Sequence, residues 1–144
     1  MTSTIIINQP VNGCLNGEPK YNFTRHLCID WLFSKKEKTF FVELFEKYDS
    51  FAISVVTKFE IYIGSNDLQK EFWDSVFENF LIFPLTEDCI DMAVEIQQKL
   101  KKTGEQIDFA DLLIAAAALF NELPIATINV KHFTRIVDLE LVSK

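Results

Sequence analysis

FAISVV, at residues 51–56, is the stretch from which the fold of this chain follows. Five of its six residues are apolar, three of them are β-branched, and polar residues do not alternate with them. Such a run is typical of a parallel strand that is buried on both faces of a sheet. TKFE follows at residues 57–60 and predicts the start of a short helix that ends near Gly64. A buried strand that leads into a helix predicts an α/β domain, with helices flanking a parallel sheet.

The alternation of strands and helices continues on both sides of this stretch. Periodic apolar residues predict helices over residues 35–48, 67–80 and 108–121, and one more helix that Thr86 caps and Gly104 ends. Short apolar runs predict strands over residues 21–23, 81–85, 125–128 and 139–142. In sheets of this kind, ligands bind beyond the carboxyl ends of the strands.

Residues 1–20 differ from the rest of the chain. Asn-Gly pairs at residues 12–13 and 16–17 favour turns, and this stretch has no helical or strand period. We therefore expect residues 1–20 to form a loosely ordered extension, in which residues 5–7 could add a short strand. Residues 21–144 are expected to form the domain.

The composition restricts the classes of function. A chain of 144 residues has room for one domain, and its net charge of −7 argues against a protein that coats nucleic acid through positive charge. The charge still allows an enzyme that acts on a phosphodiester through metal ions in an acidic pocket. The three cysteines form no C-x-x-C pair, which favours reduced thiols in the cytoplasm, and no apolar run is long enough to predict a membrane span.

Oxygen-bearing side chains lie next to the predicted strand ends. Glu60 is one turn into the helix that follows FAISVV. Asp108 and Asp111 share a face at the start of their helix. Asn129 comes directly after a strand, two residues beyond Thr127. Carboxylate and amide oxygens from separate strand ends suit Mg²⁺ or Mn²⁺, so these positions predict a metal site.

Most of these residues also have a purely structural interpretation. Glu60 follows a threonine at the spacing of a capping box, and Asp108 is a natural N-cap. Asn129 could start a turn, and His132 could be an ordinary exposed histidine. Asp111 is different because it opens an apolar segment destined for the core, where a carboxylate needs a partner or a metal ion.

Three segments carry a resemblance to a known family. They are AISVVTKFEIYIG at residues 52–64, GEQIDFADLLIAAAAL at residues 104–119 and LPIATINVKHFTRI at residues 123–136. In this order they resemble the PIN-domain family, and most closely the VapC-type toxins of bacterial toxin–antitoxin modules, over about residues 21–142. The resemblance implies a Rossmann-like α/β/α sandwich with a central parallel sheet. It also implies a cytoplasmic endoribonuclease that uses Mg²⁺ or Mn²⁺ to cut RNA, often tRNA or rRNA.

The resemblance also assigns roles to residues of this chain. It implies that Glu60, Asp111 and Asn129 form the catalytic metal site, with Asp108 completing the shell of ligands through water. The residues that it places near the RNA are Thr127, Lys131, His132 and Arg135. The partners that it implies are a small antitoxin, docked on the helices over residues 35–48 and 57–64, and a second copy of the chain in a homodimer.

One family position departs from the pattern. YNFTRHLCIDWL, at residues 21–32, aligns Thr24 with the first acid of the family. A missing metal-binding acid weakens metal affinity or activity. An alternative function is therefore a catalytically degenerate PIN-fold protein that binds RNA or a protein partner. An unrelated small α/β domain with a structural acidic cluster is the third hypothesis, which the three matched segments disfavour.

Overall fold

The computed structural model describes residues 4–8, 40, 43, 44, 47, 48 and 50–142 of the chain. Five strands form one sheet, and five helices are defined within these residues. The strands are β1 (Thr4–Asn8), β2 (Ser50–Ser54), β3 (Leu81–Phe83), β4 (Ile125–Thr127) and β5 (Leu141–Val142). The helices are α1 (Val55–Ile63), α2 (Asp67–Phe77), α3 (Glu87–Thr103), α4 (Phe109–Phe120) and α5 (Val130–Phe133).

The sheet is mixed rather than wholly parallel. Its strand order is β3-β2-β1-β4-β5, with β2 parallel to β3 and β4 parallel to β5. The central strand β1 is antiparallel to both β2 and β4. Four strands therefore run in one direction, and their carboxyl ends share one edge of the sheet with the first residue of β1. We call this the strand-end edge.

Thr4–Asn8 is thus the middle of the sheet and not an appendage to it. Ile6 is fully buried, and its Cα is paired with those of Ala52 on β2 and Ile125 on β4. An apolar strand with neighbours on both sides avoids unpaired backbone groups, which explains why residues 5–7 enter the sheet. Residues 9–20, the expected domain boundary after residue 20 and the predicted strand over residues 21–23 lie outside the described residues.

Two hydrophobic clusters show that helices cover both faces of the sheet. Ala52 packs in a cluster with residues of α3 and α4, whereas the next residue, Ile53, packs with Trp73 and Phe77 of α2. Successive residues of a strand point to opposite faces. The domain therefore has the predicted α/β/α layers. Within the described residues, no helix has both the length and the apolar character needed to cross a membrane.

The predicted ends of α3 are confirmed, but the start of α1 is earlier than predicted. The Thr86 side chain accepts a hydrogen bond from the Cys89 N–H, and Gly104 ends α3 in the left-handed conformation with φ of 73°. At α1, the Ser54 hydroxyl accepts from the Val56 N–H, so the strand ends at Ser54 and the helix begins at Val55. A serine cap outweighs the strand preference of the two valines that follow it.

Other boundaries differ by a few residues. Helix α2 begins as predicted, with a capping box between Asn66 and Gln69, but it ends at Phe77 instead of residue 80. Five residues of the predicted helix over residues 35–48 are described. Four of them, Phe40, Glu43, Leu44 and Lys47, are helical, and the fifth, Tyr48, is not.

Helix α4 is the centre of the fold. All eight residues from Asp111 to Ala118 are buried. Four of them are consecutive alanines, Ala115–Ala118, each 0% exposed. Small side chains allow α3 and the sheet to pack close to α4 on all sides, and dense packing of this kind fixes a helix in place. The first of these buried residues is an aspartate, so α4 carries a carboxylate into the core at the strand-end edge.

Candidate functional site

Asp111 is the most deeply buried acidic residue of the described chain. It lies in the first turn of α4 and is 0% exposed. Its Oδ2 is 2.6 Å from Nδ1 of His132, whereas its Oδ1 is buried and has no hydrogen-bond partner in the described part of the chain. Burying a carboxylate oxygen without a partner is costly. An ion or a bound group that contacts Oδ1 would relieve this cost.

Two further side chains lie beside Asp111, one in contact with it and the other in contact with the first. Asn129 follows β4, and His132 lies one turn later on α5. The Asn129 Nδ2 is 2.8 Å from Nδ1 of His132, the same ring nitrogen that contacts Asp111. Asp111, Asn129 and His132 therefore form one cluster, which we call the Asp111 cluster.

The structure bears on two of the open alternatives within this cluster. The His132 side chain is 44% exposed, but its Nδ1 contacts both Asp111 and Asn129. Asn129 does start a turn, because its carbonyl accepts a hydrogen bond from the His132 N–H, and its side chain contacts the His132 ring in addition. The three-residue spacing of Asn129 and His132 is a signal that could have linked them, since such residues share a helix face.

Thr127 and Thr4 brace the cluster from the sheet. The Thr127 Oγ1 accepts a hydrogen bond from the Asn129 N–H at 3.0 Å. The same hydroxyl is 3.4 Å from Oγ1 of Thr4, its partner across the sheet. Both threonines are buried. Thr127 therefore fixes the backbone at Asn129, and Thr4 is a residue of this edge that the sequence did not indicate.

Glu60 lies on the helix next to that of Asp111. Helix α1 packs against α4, and Glu60 is half-buried in the middle of α1. The capping-box alternative is wrong, because Ser54 caps this helix and Glu60 is six residues beyond the cap. Thr57, three residues before Glu60 on the same helix, has a buried hydroxyl without a partner in the described residues. A capping role therefore does not explain why an acid stands at position 60.

Asp108 and Arg135 are engaged in local contacts outside the Asp111 cluster. The Asp108 Oδ2 accepts from the Ala110 N–H at 3.1 Å, which confirms Asp108 as the N-cap of α4. The Arg135 guanidinium donates from Nη1 to the Gln106 carbonyl at 2.6 Å, and its Nε lies 3.3 Å from Oε2 of Glu105. Both contacts fix the loop that leads into α4. Lys131 is exposed on α5.

The described residues offer few protein ligands for a metal ion. Within residues 4–8, the few described positions from 40 to 48 and residues 50–142, no three His, Cys, Asp or Glu side chains lie close enough to hold an ion. The donors that do converge are one buried carboxylate, one imidazole and one amide, in the Asp111 cluster. With the unpartnered oxygen of Asp111, this set fits a divalent ion that keeps several water ligands. Thr24 lies outside the described residues.

Comparison with known proteins gives a consistent picture. Residues 25–139 match the sequence model of the PIN domain. Ribonuclease VapC1 of Methanocaldococcus jannaschii is 37% identical over 91 residues, which cover 62% of this chain and 67% of the relative. Ribonuclease VapC10 of Mycobacterium tuberculosis is 31% identical over 105 residues, covering 72% of this chain and 71% of the relative.

Solved structures show the same fold. VapBC2 from Rickettsia felis, bound to a DNA fragment from its promoter, superposes with a TM-score of 0.65 at 25% identity, covering 83% of this chain and 92% of the other. FitAcB from Neisseria gonorrhoeae gives a TM-score of 0.67 at 22% identity, covering 83% of this chain and 94% of the other. At that identity the second likeness concerns the fold alone.

Proposed function

The chain belongs to the PIN-domain family, and from this premise we propose that it is a VapC-type toxin, a ribonuclease that hydrolyses RNA phosphodiesters with a divalent metal ion. The VapC ribonucleases to which it is similar support the ribonuclease class. Mg²⁺ or Mn²⁺ is the proposed ion and tRNA a proposed substrate, and both were expected from the sequence.

The observation that carries this proposal is the buried carboxylate of Asp111. A fully buried acid with one unpartnered oxygen, at the edge where the strands end, has a strong need for a cation. We assign Asp111, Glu60 and Asn129 to holding the ion, with Asp108 contacting it through water from the start of α4. When bound, a divalent ion polarises a phosphate and lowers the pKa of its water ligand.

The chain's own residues would then position the substrate. Lys131 is exposed beside the Asp111 cluster, and a lysine ammonium can bind an RNA phosphate there. Thr127, His132 and Arg135, the other predicted RNA contacts, make the protein contacts described above. Thr127 would act by fixing Asn129, and Arg135 would need to release Gln106 before it could reach RNA.

Exposed apolar side chains support the proposed protein partners. Phe59 and Ile63 of α1 are 61% and 72% exposed, and Leu68 at the start of α2 is 80% exposed. Phe59 and Ile63 belong to the docking region predicted from the sequence, and Leu68 is an exposed apolar residue on the following helix, so we assign the antitoxin to this surface. The R. felis structure of a VapBC assembly is the relevant parallel. A homodimer and action in the cytoplasm, where RNA substrates are available, complete the proposal.

A specific observation favours the second candidate function. Thr24 stands at the position of the first family acid, and no three acidic or other metal-binding side chains cluster within the described residues. A PIN-fold protein that binds RNA or a partner without cutting it would have this appearance. The two candidates differ in one measurable property, which is cleavage.

The deciding experiment is incubation of the purified chain with total tRNA in Mn²⁺ or Mg²⁺. We expect cleavage that stops with EDTA and with Asp111→Asn, while Asp91→Asn, at an exposed position of α3, serves as a matched control and leaves cleavage unchanged. Cleavage only after Thr24→Asp would show a nuclease fold that has lost its activity. Absence of cleavage by both proteins would refute the tRNA nuclease and favour the binding module.

A further inference from the structure

A groove between α3 and α4 leaves large apolar side chains exposed to solvent. Ile90 and Val94 lie one turn apart on α3 and are 41% and 49% exposed. Phe109, the first residue of α4, is 72% exposed. All three line the groove, together with Leu112 and Leu113 of α4. Large contiguous apolar patches are rare on folded monomers and mark sites of contact with another molecule.

The charges of α3 are divided between its two halves. The first nine residues carry four acids and no base, whereas the last eight carry three lysines and no acid. The helix macrodipole favours acids in the first turn and bases in the last, and its effect fades within one turn. It therefore accounts for the charges at the two ends of α3 but not for Asp91, Glu95 and Lys99, which lie further in. The division of charge needs a second explanation.

Two copies of α3 that lie side by side in opposite directions place the acidic half of each against the basic half of the other. Glu87, Val94 and Lys101 are spaced seven residues apart, close to two helical turns, so they share one face of α3. Val94 and Lys101 line the groove, as does Ile90 on the same face. A two-fold axis at Val94 brings this residue against its own copy and Glu87 against Lys101 of the second copy, and the symmetry forms that ion pair twice. An apolar centre with flanking ion pairs, which set the orientation, is typical of paired helices.

We propose that two copies of this chain associate through this face, with Ile90 and Val94 packed between antiparallel α3 helices and Phe109 beside them. The inference rests on the proposed function, because it assigns a surface to the homodimer proposed there. Apolar residues alone would accept any apolar partner, but the opposite charges of the two halves of α3 favour a second copy. Phe109 precedes Asp111 by two residues, so the interface contacts the helical turn that carries the buried carboxylate.

The test exchanges the charges of the expected ion pair and measures the oligomeric state of the full chain by sedimentation velocity. The wild type is expected to form a dimer. Glu87→Lys and Lys101→Glu each place like charges opposite each other at two positions, so the dissociation constant of the dimer should rise about tenfold. An equimolar mixture of the two variants should regain the wild-type affinity, because each acid of the mixed dimer faces a lysine. Glu71→Lys, at an exposed position of α2, is the matched control and should dimerise as the wild type does.

The outcomes separate this inference from the proposed function. A wild type that stays monomeric at every concentration would overturn the interface, as would single variants that dimerise like the wild type. Variants that lose the dimer singly and do not regain it when mixed would overturn the antiparallel pairing. If the wild type cuts RNA in any of these cases, the nuclease stands without this interface. Dimers that respond to the charge exchange as expected, in a protein that never cuts RNA, would support the interface and refute the nuclease. Circular dichroism of each variant verifies that it is folded.

Discussion

Replacing Gly104 by alanine should cost about 1 kcal/mol of stability, all of it from the backbone. Gly104 has φ of 73°, and its N–H bonds to the Lys101 carbonyl while that of Glu105 bonds to Leu100 at 2.9 Å. A Cβ at this position would meet nothing within 4 Å, so no steric clash contributes. A left-handed alanine costs about 1–2 kcal/mol, and the stiffer unfolded chain returns roughly 0.4–1 kcal/mol.

The assay is equilibrium unfolding in urea of the wild type, Gly104→Ala and Gly104→Asn. Asparagine tolerates the left-handed region better than alanine, so it should lose less stability at the same site. In thermal unfolding of the same proteins, a loss of about 1 kcal/mol should lower the melting temperature by roughly 2–4 °C at this chain length. Equal stability of Gly104→Ala and the wild type would refute the backbone argument. A loss above about 3 kcal/mol would contradict the absence of a clash.

Three other predictions concern the site and its surroundings. Mn²⁺ at a hundred times its dissociation constant should stabilise the wild type by about 2.7 kcal/mol in thermal unfolding. It should not stabilise Asp111→Asn. An equal gain in stability for both proteins would place the ion elsewhere. Burial, and then the hydrogen bond and charge of Asp74, raise the pKa of Tyr62 to about 12. The Tyr62 contribution to the free energy of unfolding is therefore present below pH 10. It is lost as the pH rises from about 10 to 12, because the tyrosine of the unfolded chain ionises first. Ultraviolet titration should show a late ionisation phase that Tyr62→Phe lacks. Arg135→Gln should lower the free energy of unfolding by about 1 kcal/mol, because the hydrogen bond to the Gln106 carbonyl is lost. Unchanged stability together with weaker RNA binding would instead make Arg135 an RNA contact.

The helix ends that the sequence predicts correctly are those with a local cause. Thr86 and Gly104 act on backbone groups within a few residues of themselves, so their side-chain chemistry alone places the ends of α3. The sequence misplaces the start of α1 because two β-branched valines follow Ser54, and their preference for extended structure conceals the Ser54 cap.

The centre of the sheet could not be predicted in the same way. Residues 5–7 indicate a strand, but three apolar residues carry no information about its direction or its neighbours. Its partners, Ala52 and Ile125, are far away in the sequence, so the antiparallel central position depends on the tertiary structure. The propensity of a short segment is a weak guide wherever long-range pairing decides the outcome.

In the candidate site, too, features with a local cause are predictable from the sequence, and contacts that depend on the fold are not. Asp111 stands out in the sequence because an acid at the head of an apolar helix needs a partner. Its contact with His132 does not stand out, because 21 residues separate the two in the chain and only the fold brings them together. The position of Asp108 directly before α4 predicts its role as the N-cap, and the structure confirms this role. Thr24, which aligns with the first family acid, lies outside the described residues.

The central position of β1 also governs the order of folding. Thr4 meets Thr127 across 123 residues, so this pairing has almost the longest loop that the chain can close. Such contacts form slowly, and β4 is made long after β1 when a chain folds during its synthesis. Until then β1 has only one of its two neighbours, β2, and the residues that carry Asn129 and His132, which follow β4, have not been made. A chain whose synthesis has stopped before β4 therefore lacks Asn129 and His132 and cannot present the site.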